Sequence, residues 1–194
     1  MQTDHRNQVH ADFFQIHDLL PLDYQPLDEA AAHELADAEP GSLFGLLAEL
    51  QLLEHDSQHL LRQISERDRP LVAYLKILNK RIDLLGSVLG LQLSADMNTP
   101  LAVTLSEGGI TFPSAQPMQS GDWLALRLLL PTPAGLSIAA QVADCARDPA
   151  SGQYLIQVSF SLLSDAQRQL LTRHIMHKQA QEIRAAKHNE RTST

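Results

Sequence analysis

The chain has a single cysteine, Cys145, among its 194 residues. That excludes a disulfide framework within the chain and a multi-cysteine zinc site. Aromatic residues are scarce at 5%, with one tryptophan, which argues for helices packed through leucine over a large aromatic-rich sandwich. Basic residues are outnumbered: 15 Lys and Arg stand against 23 Asp and Glu, a net charge of -8. A general nucleic-acid binder needs a basic surface to displace counterions, and docking on anionic membranes needs the same. Neither partner is expected. No apolar run approaches a membrane span, so no membrane insertion is expected. The polar stretch Met1 to His10 holds no apolar signal core. A reducing, cytoplasmic location is the simplest reading.

What the chain does have is apolar content at 44%, enough for a full core. After a polar start, Phe13 to Tyr24 reads as extended, with Pro21 and Pro26 forbidding a regular helix and marking an edge or bulge. Asp28 to Glu39 is alanine-rich and acidic, a short helix with Asp28 as its cap and Pro40-Gly41 as its stop. Ser42 can cap the next helix. There Leu43, Leu46, Leu50, Leu53, Ser57, Leu60 and Ile64 recur in steps of three and four, a heptad seam broken only by Ser57. Ser57 is either a register-setting polar position or a tolerated defect. Asp68 and Pro70 open another helix, with a second seam of Leu71, Leu75, Leu78, Ile82, Leu85 and Leu89. Gly86 and Gly90 weaken its end, and Gly90 is the expected terminator.

From Leu91 the period changes to that of strands. Leu101 to Leu105, Ile110 to Phe112, Asp122 to Leu130, Leu136 to Cys145 and Tyr154 to Phe160 are separated by turn residues. This is the spacing of an antiparallel sheet or small barrel. Between the first two strands lies Thr104-Leu105-Ser106-Glu107-Gly108-Gly109-Ile110. Its glycines suit positive φ or a close approach, and Ser106 can bond its own turn. Asp165 begins a last helix with an intermittent apolar face through Leu170, Leu171, His174, Ile175 and Ile183. Lys178, Arg184 and Lys187 complement its dipole, and the tail from Lys187 is expected to fray.

The turn at 104–110, the Gly121-Asp122 pair, the alternating leucine strand and the late strand followed by a helix resemble a PilZ domain. The resemblance implies a small antiparallel barrel of the kind that commonly receives cyclic di-GMP. It makes Asp12 to Ile16 the first strand and Leu27 to Gly90 an insertion. That layout is similar to a xanthomonad subgroup whose heptad helices assemble a tetramer. The expected fold is thus α+β: a PilZ-like barrel with a helical, coiled-coil insertion and a C-terminal helix. Its divisions are 1–27 (tail and first strand), 28–90 (oligomerisation region), 91–186 (remaining barrel and helix) and 187–194 (polar tail).

The departures from that family bear on function. Its turn reads Asp or Asn, any residue, Ser, any two, Gly; here Thr104 takes the first place, while Ser106 and Gly109 match. Two arginines separated by three residues are expected near the first strand, but Ala11 and Gln15 stand there. Arg6 and His10 cannot replace them, and Lys76 and Lys80 belong to the heptad helix. A cyclic dinucleotide presents phosphates and guanine edges that guanidinium groups grip bidentately. Losing two such contacts costs several kcal/mol, on the order of many-fold in affinity. The expected function is therefore a non-enzymatic signalling protein that does not bind cyclic di-GMP by itself. It would act through a homo-oligomer (a tetramer by the subgroup resemblance, a dimer as the alternative) and through contacts with signalling proteins in motility, biofilm or virulence pathways. A receptor with a non-standard site using Arg6 and Ser106, and a structural scaffold, are the other readings.

No catalytic set, metal site or cofactor is expected. Ser106 lacks the Gly-x-Ser-x-Gly, strand-to-helix setting of a nucleophile. The pairs His55/His59 and His174/His177 have no third ligand and read as exposed helix residues. Cys145 reads as a small buried residue, and Trp123 and Phe112 as barrel core.

Overall fold

Pro21 decides how the sheet is built. In the computed structural model, which describes residues 14–37, 42–65, 68–97, 99–131 and 134–192, this residue separates β1 (Ile16–Leu20) from β2 (Leu22–Leu27). The expected edge or bulge is in fact a break between two strands. β1 pairs with β3 (Leu101–Ser106) and β2 with β5 (Trp123–Leu130). With β4 (Gly109–Ser114), β6 (Ala134–Arg147) and β7 (Tyr154–Ser159), the order is β1-β3-β4-β7-β6-β5-β2, antiparallel throughout. Two strands joined by one residue lie at opposite ends of that order. The sheet must curl until its ends meet, giving a seven-stranded half-barrel. Pro21 has no N–H to give, but its carbonyl accepts from Leu129 N at 3.1 Å and ties the corner.

Period-two alternation fills the interior. Leu124, Leu126 and Leu128 from β5 and Ile156 and Val158 from β7 are all buried, as is Phe112 from β4. Leu170, Leu171 and Ile175 join this core from the last helix. That helix, α4 (Asp165–Thr192), starts with reciprocal bonds: Gln167 N to Ser164 Oγ at 3.2 Å and Ser164 N to Gln167 Oε1 at 3.0 Å. It continues to Thr192, past Lys187 where fraying was expected.

Each of the other helices begins as its cap residue dictates. Asp28 accepts from Ala31 N before α1 (Glu29–Asp37), Ser42 from Gly45 N before α2 (Leu43–Ser65), and Asp68 from Leu71 N before α3 (Arg69–Asp96). Pro70 sits in the first turn of α3. The stop expected at Pro40-Gly41 lies outside the described residues. α2 and α3 fold back on each other: a Cβ at Gly86 would lie 3.0 Å from Leu50 Cδ2, and Asn79 Nδ2 donates to Ser57 Oγ at 3.3 Å. Gly86 is therefore a crossing point between helices. Gly90 does not terminate the helix, as expected from sequence, but is buried inside it; the helical segment ends at Asp96, not at 90. The N-terminal turn of α2 presses on β6, where a Cβ at Gly135 would meet Phe44 Cα at 2.8 Å. Gly135, expected in a turn, is a strand residue paired with Leu129.

Candidate functional site

The β3–β4 hairpin turns through Glu107 and Gly108, with Ser106 paired to Gly109. Ser106 Oγ donates to the Gly109 carbonyl at 3.2 Å, so the hydroxyl staples its own turn. The glycines do not serve positive φ: among the described residues the left-handed glycines are Gly121 (φ 98) and Gly152 (φ 74). Instead the Gly108 carbonyl accepts from Phe160 N at 2.8 Å, and Gly109 pairs with Ser159 on β7. The double glycine joins the hairpin to the next strand.

Thr104, Ser106 and Gly109 do meet in one place. They line a cleft of about 530 Å³ on the outer face of the sheet, together with Gln15, His17, Thr111, Asp144, Ala146, Leu155 and Gln157. Its backbone is a single register row across five strands: His17, Thr104, Thr111, Gln157 and Asp144. At about 4.8 Å per strand the row spans about 19 Å. His17 Nδ1 and Thr104 Oγ1 are 3.0 Å apart. The threonine that replaces an acidic or amide residue of the family's turn is thus held by a neighbouring strand. Among the described residues no Lys or Arg lines this cleft, and Asp144 is the one carboxylate. Ala11, Arg6 and His10 lie outside the described residues. Gln15, at the other expected arginine position, is one of the lining residues.

Asp144 reaches the cleft through an irregularity invisible to alternation. Val142 pairs with Val158 and Asp144 with Gln157, leaving Ala143 as the extra residue of a β-bulge. Without it Asp144 would share the buried face of Val142. The turn at 120–122 pins the bulge: Ser120 Oγ donates to the Ala143 carbonyl at 3.0 Å, Gly121 N donates to the Val142 carbonyl and Val142 N to the Asp122 carbonyl, both at 2.8 Å.

Behind β1 a second polar group was missed from sequence. Asp18 occupies a core-facing position between Ile16 and Leu20, where α4 covers it. Lys178 Nζ donates to Asp18 Oδ1 at 2.6 Å and His174 Nε2 lies 2.9 Å from Oδ2. Burial pushes the Asp18 carboxyl up, but the hydrogen bonds from Lys178 and the Leu19 N–H, with the nearby positive charge, outweigh it and hold it below the usual carboxylate value. Burial holds His174 below the usual imidazole value, against a smaller opposing pull from Asp18. The lysine already balances the carboxylate, so a neutral His174 donating from Nε2 completes the group. His174 is therefore a buried partner, not the exposed helix residue expected from its spacing, and Lys178 serves Asp18 rather than a helix end. His177 and His59 are exposed, while the side chain of His55 lies outside the described residues. Cys145 is half-buried against the core. Phe112 is fully buried, whereas Trp123 is half-buried beside the His33 ring.

The seam residues lie on the α2–α3 hairpin away from the cleft. Leu43, Leu46, Leu53, Leu60, Leu71, Ile82, Leu85 and Leu89 are exposed in the single chain; Leu50, Ser57, Ile64, Leu75 and Leu78 are half-buried. Ser57 Oγ donates to the Glu54 carbonyl and receives Asn79 from α3, so its polar contact is within the chain. A second exposed stripe on α3 is formed by Tyr74, Ile77, Leu84, Val88 and Leu91; of these only Val88 was legible, as a residue that broadens the seam face. Four of these five stand one residue before a seam position, which is the signal that would have revealed it. Among the described residues no helix is long and apolar enough to cross a membrane, and no three His, Cys, Asp or Glu side chains converge as a metal site.

Comparison with known proteins bears on this arrangement. The solved tetrameric PilZ-domain protein of Xanthomonas campestris, self-assembled through a helical bundle, is similar over 89% of this chain and 92% of its own, at 20% identity and a TM-score of 0.56. The inhibitor of motility from Bacillus subtilis is similar over 42% of each chain, at 24% identity and a TM-score of 0.40. YcgR from Escherichia coli, solved with c-di-GMP, is similar over 48% of this chain and 41% of its own, at 19% identity and a TM-score of 0.40. A comparison with curated protein sequences returned no match. The family model described as the PilZ domain matches residues 75–177, from within α3 through the hairpin, the bulge and the first half of α4. With more than half of its length matched, the chain belongs to the PilZ domain family.

Proposed function

We propose that this chain is a non-enzymatic regulatory protein, a degenerate PilZ domain that does not hold cyclic di-GMP by itself and acts in the cytoplasm through contacts with signalling proteins. The observation that carries this reading is the charge of the cleft around Thr104, Ser106 and Gly109: among the described residues its lining holds one carboxylate, Asp144, and no Lys or Arg. A ligand with two phosphates would meet a like charge and find no guanidinium to grip it. Isothermal titration of the full chain with cyclic di-GMP is expected to give no heat of saturable binding at micromolar concentrations. Saturable micromolar binding would overturn the reading and favour a receptor with a non-standard site.

A second part of the reading is self-association through the helical region 28–90. The exposed leucines of both seams support it, because a free chain rarely leaves so much contiguous apolar surface in water. A tetramer is favoured over a dimer, by likeness to a protein that assembles as one. The bundle would then hold several copies of the barrel together, leaving their clefts available to partners. A purely structural scaffold is the alternative in which those clefts have no occupant.

A further inference from the structure

We infer that the outer cleft is a receptor for a cationic side chain, an arginine or lysine presented by a partner protein, with Asp144 as the paired carboxylate. This rests on the reading that the domain works through protein contacts and names the chemistry of the contact.

Three observations carry it. Asp144 is aimed outward by the bulge at Ala143, and the bulge is anchored by three hydrogen bonds from the 120–122 turn. A carboxylate held by so specific a device differs from one on a freely solvated loop. Among the described residues Asp144 forms no ion pair, and no Lys or Arg lines the cleft to neutralise it. Lastly, the neighbouring row of the same face is apolar. Leu155, 42% exposed, pairs with Ala146, one row along from the Gln157–Asp144 pair. An arginine or lysine stem lying over Leu155 and Ala146 would bring its head group to Asp144, with the Gln157 amide oxygen as a second acceptor. Long cationic side chains bind in this way, with stem on apolar surface and charge at a polar tip. The chain's net charge of -8 favours the approach of a basic partner over longer distances.

The test is fluorescence polarisation of a short fluorescein-labelled peptide of alternating arginine and glycine, titrated with the full chain at low salt. Its affinity should drop about tenfold in Asp144→Asn, as expected for loss of a charge-assisted contact. The charge-matched control Asp56→Asn, an exposed change on α2, should leave it unaltered. Equal losses in the two variants would mean a general attraction to a negative protein and would overturn the inference. So would no binding, or binding of free spermidine with the same Asp144 dependence and no binding of the peptide. If neither peptide nor cyclic di-GMP binds, this inference falls and the regulatory reading stands. If cyclic di-GMP binds and displaces the peptide, the regulatory reading falls instead.

Discussion

The half-barrel and the helical hairpin solve the problem of apolar surface in opposite ways. Leu126 in β5 is fully buried, enclosed by its own chain, while Leu85 in α3 is 67% exposed although both helices are regular and well capped. The barrel hides its leucines because a curled sheet has an inside, and α4 closes it. A two-helix hairpin has only one internal contact line, here through Leu50, Gly86, Ser57 and Asn79, and leaves the remaining apolar stripes facing outward. The barrel buries its apolar face within one chain; the hairpin leaves its stripes exposed.

The largest expected effect tests the barrel. Leu126→Ala removes fully buried volume and should cost ~2–5 kcal/mol in urea unfolding. A cost below that of an ordinary surface change would mean that the barrel, too, depends on something outside the chain.

A smaller effect concerns how α4 is held on the barrel. Both His174 and Asp18 have native values below their ordinary ones, near 6.5 and 3.8. Below those ordinary values the unfolded chain binds more protons than the native one, so stability rises with pH and falls with acid. The His174 contribution should be complete above about 6.5 and decline as the pH drops through the lowered native value; that of Asp18 follows only in stronger acid. Urea midpoints between neutral and mildly acidic pH should fall more steeply for the natural chain than for His174→Gln, which keeps a donor toward Asp18. Parallel slopes would show that the imidazole is not what titrates against the fold.

Much of this comparison is written locally in the chain. Asp68 with Pro70 announces α3, Ser42 announces α2, and the alternation of Leu124, Leu126 and Leu128 announces a strand with one buried face. Such features depend on neighbours within a turn or two. Asp18 does not: its partner His174 is 156 residues away, and a carboxylate between Ile16 and Leu20 looks like a misplaced surface residue until α4 is docked over it. The bulge at Ala143 is equally silent, because one unpaired residue reverses which side chains face the cleft without changing composition. Gly90 misled in the other direction. A glycine near the end of a leucine run reads as a stop, yet packing keeps the helix going to Asp96. In the cleft itself, Thr104, Ser106 and Gly109 were legible from the turn, whereas their partners His17, Thr111, Gln157 and Asp144 came together only through sheet register.

The smallest expected change in the fold of one chain is also the sharpest test of the helical hairpin. Leu85→Glu places a charge on an exposed helix face, so the isolated chain should tolerate it within about 0.5 kcal/mol. If a second copy covers that face, the charge would instead be buried without a partner, a far larger penalty. Light scattering should then give a multiple of the 21.5 kDa chain mass for the natural protein and a smaller species for the variant. Circular dichroism should show helices of unchanged content. Stability should also lose its dependence on protein concentration in the variant, since association no longer contributes to it. A natural protein that scatters as a single chain would remove self-association altogether. A variant that keeps its full mass would move the contact off Leu85 and onto the neighbouring stripe of Tyr74, Ile77, Leu84, Val88 and Leu91.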